Sequence, residues 1–120
     1  GVGRILALTI LYEIGDIQRF ETVQKFASYA RLIKCKAESA GKVYGTQGNK
    51  IGNAHLKWAF SEAAVLYLRG NDKAQRYLQK LQKRMNKAKA LSALAHKLGR
   101  AAYFMLKHQR VFDEQRFLKG

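Results

Sequence analysis

Residues 34–63 read KCKAESAGKVYGTQGNKIGNAHLKWAFSEA, a stretch rich in glycine and lysine that leads into a helical pattern. Helical periodicity is missing over residues 34–52, where glycine recurs four times. After this segment, apolar residues follow the spacing of one helix face: Leu56, Ala59, Phe60, Ala63, Ala64, Tyr67 and Leu68. We therefore predict a long loop whose exit is anchored by a helix packed on the core. The alternative interpretation is a flexible surface loop.

Two helices are predicted before this stretch. Residues 4–11 are apolar on nearly every side, which predicts a buried helix that ends near Gly15. Apolar residues at helical spacing over 23–30 predict a second helix, with Thr22 or Glu21 near its N-cap.

Two more helices are predicted after it. The Gly-Asn-Asp run at 70–72 indicates a stop followed by a cap, and a helix over about residues 73–85 comes next. Asn86 and Lys87 either break the helix or only bend it. A last long helix follows, with apolar positions from 91 to 105. Two aromatic residues of the tail are expected to dock on the core as a lid, Phe112 and Phe117. The sequence thus predicts an all-α fold, one compact domain of about five helices over residues 1–120.

The charge balance points to a polyanionic partner. Lys and Arg number 23 against 8 acidic residues, a formal charge of +15, so nucleic acid is the default partner and an anionic membrane surface the weaker one. The longest apolar run, residues 5–12, is far shorter than the roughly 20 residues that span a bilayer, and no signal peptide is recognisable. The chain begins with Gly, which suggests a fragment or a processed product.

The sequence offers little support for metal or cofactor chemistry. Cys35 is the only cysteine, which excludes an internal disulfide and suits a reducing compartment, and the three histidines are far apart. No metal site is expected in this chain, and His96, beside an apolar stripe, is expected to be structural. Ser39 is the one candidate nucleophile, but a serine hydroxyl needs a base or a metal to activate it, and no residue clearly supplies one.

Four groups of residues are candidates for contacts with phosphate. The loop lysines alternate with glycines and would neutralise a phosphodiester that approaches the backbone closely: Lys34, Lys36, Lys42 and Lys50. Polar residues at the start of the next helix extend this surface: Asn53, His55 and Lys57. One face of the helix over 73–85 is basic with no acidic residue to offset it: Lys73, Arg76, Lys80, Lys83 and Arg84. The Gly-x-Gly turn at the N-terminus leaves backbone N–H groups for a phosphate: Gly1 and Gly3.

Three features of the sequence leave alternatives open. His55 either positions a proton or a phosphate oxygen or is a hydrogen-bonded structural histidine, and the structural role is favoured. Trp58 either stacks on a base or packs in the core, and packing is favoured. The turn at residues 1–3 either resembles the second half of a helix-hairpin-helix motif or is a simple tight turn.

Five segments taken together carry a family resemblance: GVGRILALTILYEIGDIQRF at 1–20, FASYARL at 26–32, SAGK at 39–42, GNKIGNAHLKWAFSEAA at 48–64 and ALAHKL at 93–98. They resemble, in order, the C-terminal transposase domain of the IS-one-ten family of bacterial and archaeal insertion sequences. These are DEDD-type transposases guided by a bridge RNA.

The resemblance implies a division of labour. An N-terminal RuvC-like domain, absent from this chain, would carry four acidic residues and Mg²⁺, so this fragment would bind no cofactor itself and be inactive alone. The C-terminal domain would supply a serine that attacks a DNA phosphate. Ser39 matches that serine, and Ala40 stands where the family commonly has Gly or Asn. DNA, a structured guide RNA and further copies of the full-length protein would be the partners, in the cytoplasm at the nucleoid.

A second hypothesis belongs to a different class. The chain would be a non-catalytic DNA- or RNA-binding module of helix-hairpin-helix type, held on nucleic acid by its basic faces, with Ser39 an ordinary loop residue.

Overall fold

The computed structural model describes residues 3–33 and 52–119, and every regular element in these ranges is helical. The α-helices are α1 (Arg4–Ile14), α2 (Val23–Tyr29), α3 (Ala54–Leu68), α4 (Asp72–Gln82), α5 (Lys87–His108) and α6 (Glu114–Lys119), with a 3₁₀ turn at Ile17–Arg19. The predicted all-α class is confirmed. The tail forms the additional helix α6, which the sequence patterns did not predict.

Side-chain caps fix where four of these helices begin. In each case the side-chain oxygen of the cap accepts a hydrogen bond from the backbone N–H three residues later, as is usual at a helix start: Thr22, Asn53, Asn71 and Asn86. Thr22 rather than Glu21 is therefore the N-cap of α2. Asn86 is the N-cap of α5, so α4 and α5 are two separate helices rather than one bent helix.

The core lies where α2, α3 and α5 meet. Phe26 of α2 is fully buried, and its ring contacts Phe60 of α3 edge-on at 6.1 Å between centroids and Tyr103 of α5 at 5.6 Å. The Tyr103 hydroxyl donates a hydrogen bond of 2.9 Å to the carbonyl of Phe20, so this buried polar group is satisfied. Alanines on the inner face of α3 let α5 approach closely: Ala59, Ala63 and Ala64.

The prediction that α1 is buried is wrong for one of its two faces. Leu6, Ile10 and Ile14 are buried, but Ile5 and Tyr12 are 76% and 84% exposed. Within the described residues the helix packs chiefly on α3, so a neighbour covers only one face. An apolar sequence on every side cannot tell which face that will be.

The tail closes over one end of α3. The Phe117 side chain is buried, and its ring meets Tyr67 edge-on at 5.6 Å between centroids. Phe112 also contacts Tyr67, at 6.1 Å, although 39% of its side chain stays exposed. The predicted lid is confirmed, with Phe117 as its buried residue.

Across residues 3–33 and 52–119, no helix is both long and apolar enough to cross a membrane.

Candidate nucleic-acid interface

Several predicted site residues fall outside the described residues. They are Gly1, Lys34, Lys36, Ser39, Lys42 and Lys50. Their assignments stay predictions, and the structure bears on them only through the two ends of the segment to which five of them belong.

Those two ends are held together by Asn53, the N-cap of α3. Its backbone N–H donates to the carbonyl of Tyr29, at the end of α2, over 2.6 Å. Its side-chain amide donates to Glu13 at 2.8 Å and to the Tyr29 hydroxyl at 3.3 Å. One residue thus ties α1, α2 and α3 together where the chain returns from residues 34–51.

The same contacts change the pKa of the Tyr29 hydroxyl. The hydrogen bond from Asn53, and then the neighbouring Arg19 side chain, lowers the pKa of Tyr29, because both favour the phenolate. The Arg19 guanidinium lies 4.8 Å from the centre of the Tyr29 ring and also donates to the Ile14 carbonyl at the end of α1. This cluster fixes the geometry at the end of α1 as well as the end of α2.

Gly52 makes the return to α3 possible. Its φ is +105°, a region that residues with a side chain rarely adopt. A Cβ there would lie 2.7 Å from the Tyr29 carbonyl oxygen and 2.7 Å from Cγ of Arg31. Gly52 was not among the predicted site residues, although its place as the last glycine of the loop was a usable signal.

The first turns of α3 present polar and aromatic side chains to solvent. His55 and Lys57 are exposed, and Gly3 is exposed as the N-cap of α1. Trp58 is 51% exposed, so the packing role favoured from the sequence is wrong. Alanine neighbours suggested a buried position, but the buried alanines lie on the inner face of α3 and Trp58 lies on the outer one.

The basic face of α4 is exposed, as the sequence predicts, and it forms one wall of a groove. All five cationic residues predicted for it are exposed: Lys73, Arg76, Lys80, Lys83 and Arg84. The helix ends at Gln82 rather than near residue 85, so Lys83 and Arg84 lie just after it. The groove, of about 440 Å³, runs between α4 and α6. We call it the α4–α6 groove, and its lining residues are Lys73, Arg76, Tyr77, Lys80, Glu114, Gln115, Leu118 and Lys119.

Helix α6 also brings a carboxylate to the groove, contrary to the prediction that no acidic residue offsets this face. Glu114 accepts a hydrogen bond from the Tyr67 hydroxyl at 2.9 Å and one from the Asn71 amide at 3.1 Å. The Asn71 bond is the main cause that lowers the pKa of the carboxyl, followed by the Tyr67 bond, with the Lys73 charge acting in the same direction. In turn, burial and this carboxylate raise the pKa of Tyr67.

Tyr77 lines the groove and contacts Lys97 of α5 through its ring and its hydroxyl. The Lys97 ammonium lies 4.8 Å from the centre of the Tyr77 ring and donates to its hydroxyl at 3.1 Å. The same ammonium lies 5.4 Å from the centre of the Phe117 ring, so Lys97 links α5 to both α4 and α6. Sequence reasoning missed Lys119 and Gln115 because the tail was not predicted to be helical.

The groove and the Asn53 cluster lie near opposite ends of α3. Asn53 precedes its first residue, while Tyr67, the partner of Glu114, is in its last turn. At 1.5 Å per residue, the two ends of this helix are about 20 Å apart. The predicted binding residues therefore form two surfaces rather than one.

Within the two described ranges, no cluster of His, Cys, Asp and Glu side chains is suited to hold a metal ion. His96 is half-buried on α5, and burial lowers its pKa, with the Arg100 charge adding to the effect.

Comparison with known protein families gives the class of this helical, basic domain. The model of the IS116/IS110/IS902 transposase family matches residues 1–79, which is most of the chain and includes α1 to α3 and the greater part of α4. The chain belongs to this transposase family. Neither the curated proteins nor the solved structures contain a match to it.

Proposed function

We propose that this chain supplies the serine nucleophile of a DNA transposase and holds DNA and a structured guide RNA on its basic surfaces. The observation that carries the proposal is the family match, which runs through Ser39 and the loop lysines. The Asn53 cluster supports it because it fixes both ends of the segment that contains Ser39.

The proposed reaction is a transesterification at phosphorus. The Ser39 hydroxyl loses its proton and its oxygen bonds to the phosphorus, while the bond to one bridging oxygen of the DNA breaks and that strand end leaves as an alcohol. Attack by the freed or exchanged strand end on the serine ester reverses these steps. Mg²⁺ held by an acidic domain beyond this chain would activate the hydroxyl and stabilise the developing charge.

The chain's own cations would hold the scissile phosphate and the flanking strand. We assign the loop lysines to the scissile phosphate: Lys34, Lys36, Lys42 and Lys50. Residues at the start of α3 and α1 would contact the flanking backbone: His55, Lys57, Gly1 and Gly3. The basic face of α4 and the lysine that follows the helix would hold further phosphates: Arg76, Lys80 and Lys83. Asn53 would act by placing the loop, because its side chain already bonds within the domain.

Covalent trapping tests the nucleophile. Full-length transposase with guide RNA and Mg²⁺ would be incubated with donor DNA, denatured and digested, and mass spectrometry would locate a nucleotide adduct. We expect the adduct on Ser39. Strand exchange that proceeds with an adduct elsewhere, or with none, would favour the second candidate, a non-catalytic binding module, which the exposed basic face of α4 supports equally well.

Substitution of Ser39 gives an independent test. Ser39→Ala in the full-length protein should abolish strand exchange and leave DNA affinity nearly unchanged, because only the attacking oxygen is removed. Ser61→Ala is the matched control, since Ser61 is an exposed serine on α3 whose hydroxyl bonds only the carbonyl of Lys57 one turn earlier. Recombination by the Ser39→Ala protein would end the proposal.

A further inference from the structure

The α4–α6 groove concentrates positive charge from two separate helices. Three of its cations lie on α4, at positions 73, 76 and 80, and Lys119 of α6 faces them across the groove. The spacing of three and four residues places the α4 cations in one stripe about 10 Å long. A stripe of this length can reach more than one phosphate of a duplex backbone, whose strands each rise about 3.4 Å along the axis per phosphate.

The Glu114 carboxylate, which lines the groove, accepts hydrogen bonds from two neutral donors. Glu114 accepts from Tyr67 and Asn71, and these bonds hold α6 against the turn between α3 and α4. Both bonds are accepted by Oε2, and through them the carboxylate fixes the helix that carries Lys119. The groove depends on this contact between distant parts of the chain, which explains why no sequence pattern predicted it.

The lining favours a duplex over an unpaired strand. Proteins that bind single strands stack bases on exposed aromatic rings. Of the lining residues, Tyr77 alone is aromatic, and Lys97 lies over one face of its ring and bonds its hydroxyl, so the groove offers at most a single ring for stacking. The remaining lining offers ammonium and guanidinium groups, which contact phosphates without reading bases.

We infer that the α4–α6 groove holds the phosphodiester backbone of a nucleic acid duplex, at a site separate from the Ser39 loop. The inference rests on the proposed nucleic-acid binding but not on Ser39 as the nucleophile. It adds Lys119 to the binding residues, and this lysine lies on a helix outside the residues that the family model matches. Given the length of α3, the groove would hold a duplex segment about 20 Å from Asn53, where the chain leaves the Ser39 segment.

Salt dependence of binding tests this directly. The double variant Lys80→Gln and Lys119→Gln removes one cation from each wall, and Lys25→Gln with Arg110→Gln is the control. Both pairs are exposed and carry the same charge, and neither control residue lines the groove. The 120-residue chain would be titrated with a blunt-ended DNA duplex, the matching RNA duplex and a single strand of the same sequence.

For the groove variant, we expect the slope of log affinity against log salt to become shallower by about 2, since each phosphate contact contributes about 0.9. The control should keep the parent slope. Circular dichroism would confirm that both variants remain helical, and Arg76→Lys, which keeps the charge, should bind like the parent. A preference for the DNA or the RNA duplex would identify the source of the backbone.

Two outcomes would overturn the inference. Equal slopes for the groove and control variants would show that Lys80 and Lys119 act only through net charge. Tighter binding of the single strand than of either duplex would reject a duplex site. If the parent chain binds no nucleic acid at all, the proposed function fails together with the groove, whereas normal binding with equal slopes rejects the groove alone.

Discussion

Gly52 and Asn53 show how two neighbouring residues fix the position at which α3 begins. Asn53 bonds to α1 and α2 through its side chain and its backbone N–H, and Gly52 lets the chain reach that position with a positive φ. Without the glycine, a Cβ would meet the backbone of Tyr29. The exit of the segment that contains Ser39 therefore has little freedom to shift.

Gly52→Ala should destabilise the domain more than Gly70→Ala. Both glycines have positive φ, but a Cβ at Gly70 meets nothing within 4 Å. The Gly70 variant should lose about 1 kcal/mol from backbone strain alone, and the Gly52 variant about 2 to 4 kcal/mol, because an overlap with backbone is added. Urea unfolding of the two variants would measure the difference. Equal losses would mean that the contact with Tyr29 does not constrain this position.

Helix α1 shows that an element can be apolar on every side and still pack on one. Its buried residues contact the core, while its outer face carries large apolar side chains in solvent: Ile5, Leu8, Leu11 and Tyr12. The sequence alone did not distinguish the two faces because both carry residues of the same type.

Two isoleucines of α1 give a matched comparison. Ile14 is fully buried and Ile5 is 76% exposed. Ile14→Ala should cost about 2 to 4 kcal/mol through lost burial and a cavity, whereas Ile5→Ala should change stability by less than about 0.5 kcal/mol. Thermal and urea unfolding would measure both. A large loss at Ile5 would indicate that the outer face is covered by another copy in solution.

On the scale of the whole molecule, Glu114 joins the last helix to the middle of the chain. Its two hydrogen bonds span more than forty residues of sequence and lower its pKa. A carboxyl whose pKa is lower in the folded state stabilises that state above its unfolded pKa. This contribution is lost as pH falls through the folded value.

Glu114→Gln should therefore change how stability depends on pH. The parent should be more stable than the variant above about pH 4.5, the ordinary pKa of the group. The difference should shrink as pH falls below that value, because the unfolded chain then binds a proton at Glu114 that the folded chain binds only at lower pH. Melting temperatures of both proteins between neutral and acid pH would test this. A difference that stays constant down to acid pH would show that the charge of Glu114 does not contribute.

The sequence by itself determined the helical class, the stop and cap at residues 70–72 and the basic face of α4. Each of these is local: an Asn or Thr caps the N–H groups that follow it, and a stripe of apolar residues repeats with the helix. The family resemblance was also local, carried by short segments in order, and the family match confirms it.

Tertiary structure decided which faces are covered and which distant residues meet. Whether Trp58 or Ile5 is exposed depends on where neighbouring helices lie, and the local pattern is the same in either case. Lys119 joins the α4 cations only because Phe117 and Glu114 dock α6 beside Tyr67. Contacts of this kind depend on packing between residues far apart in sequence, so no local pattern encodes them.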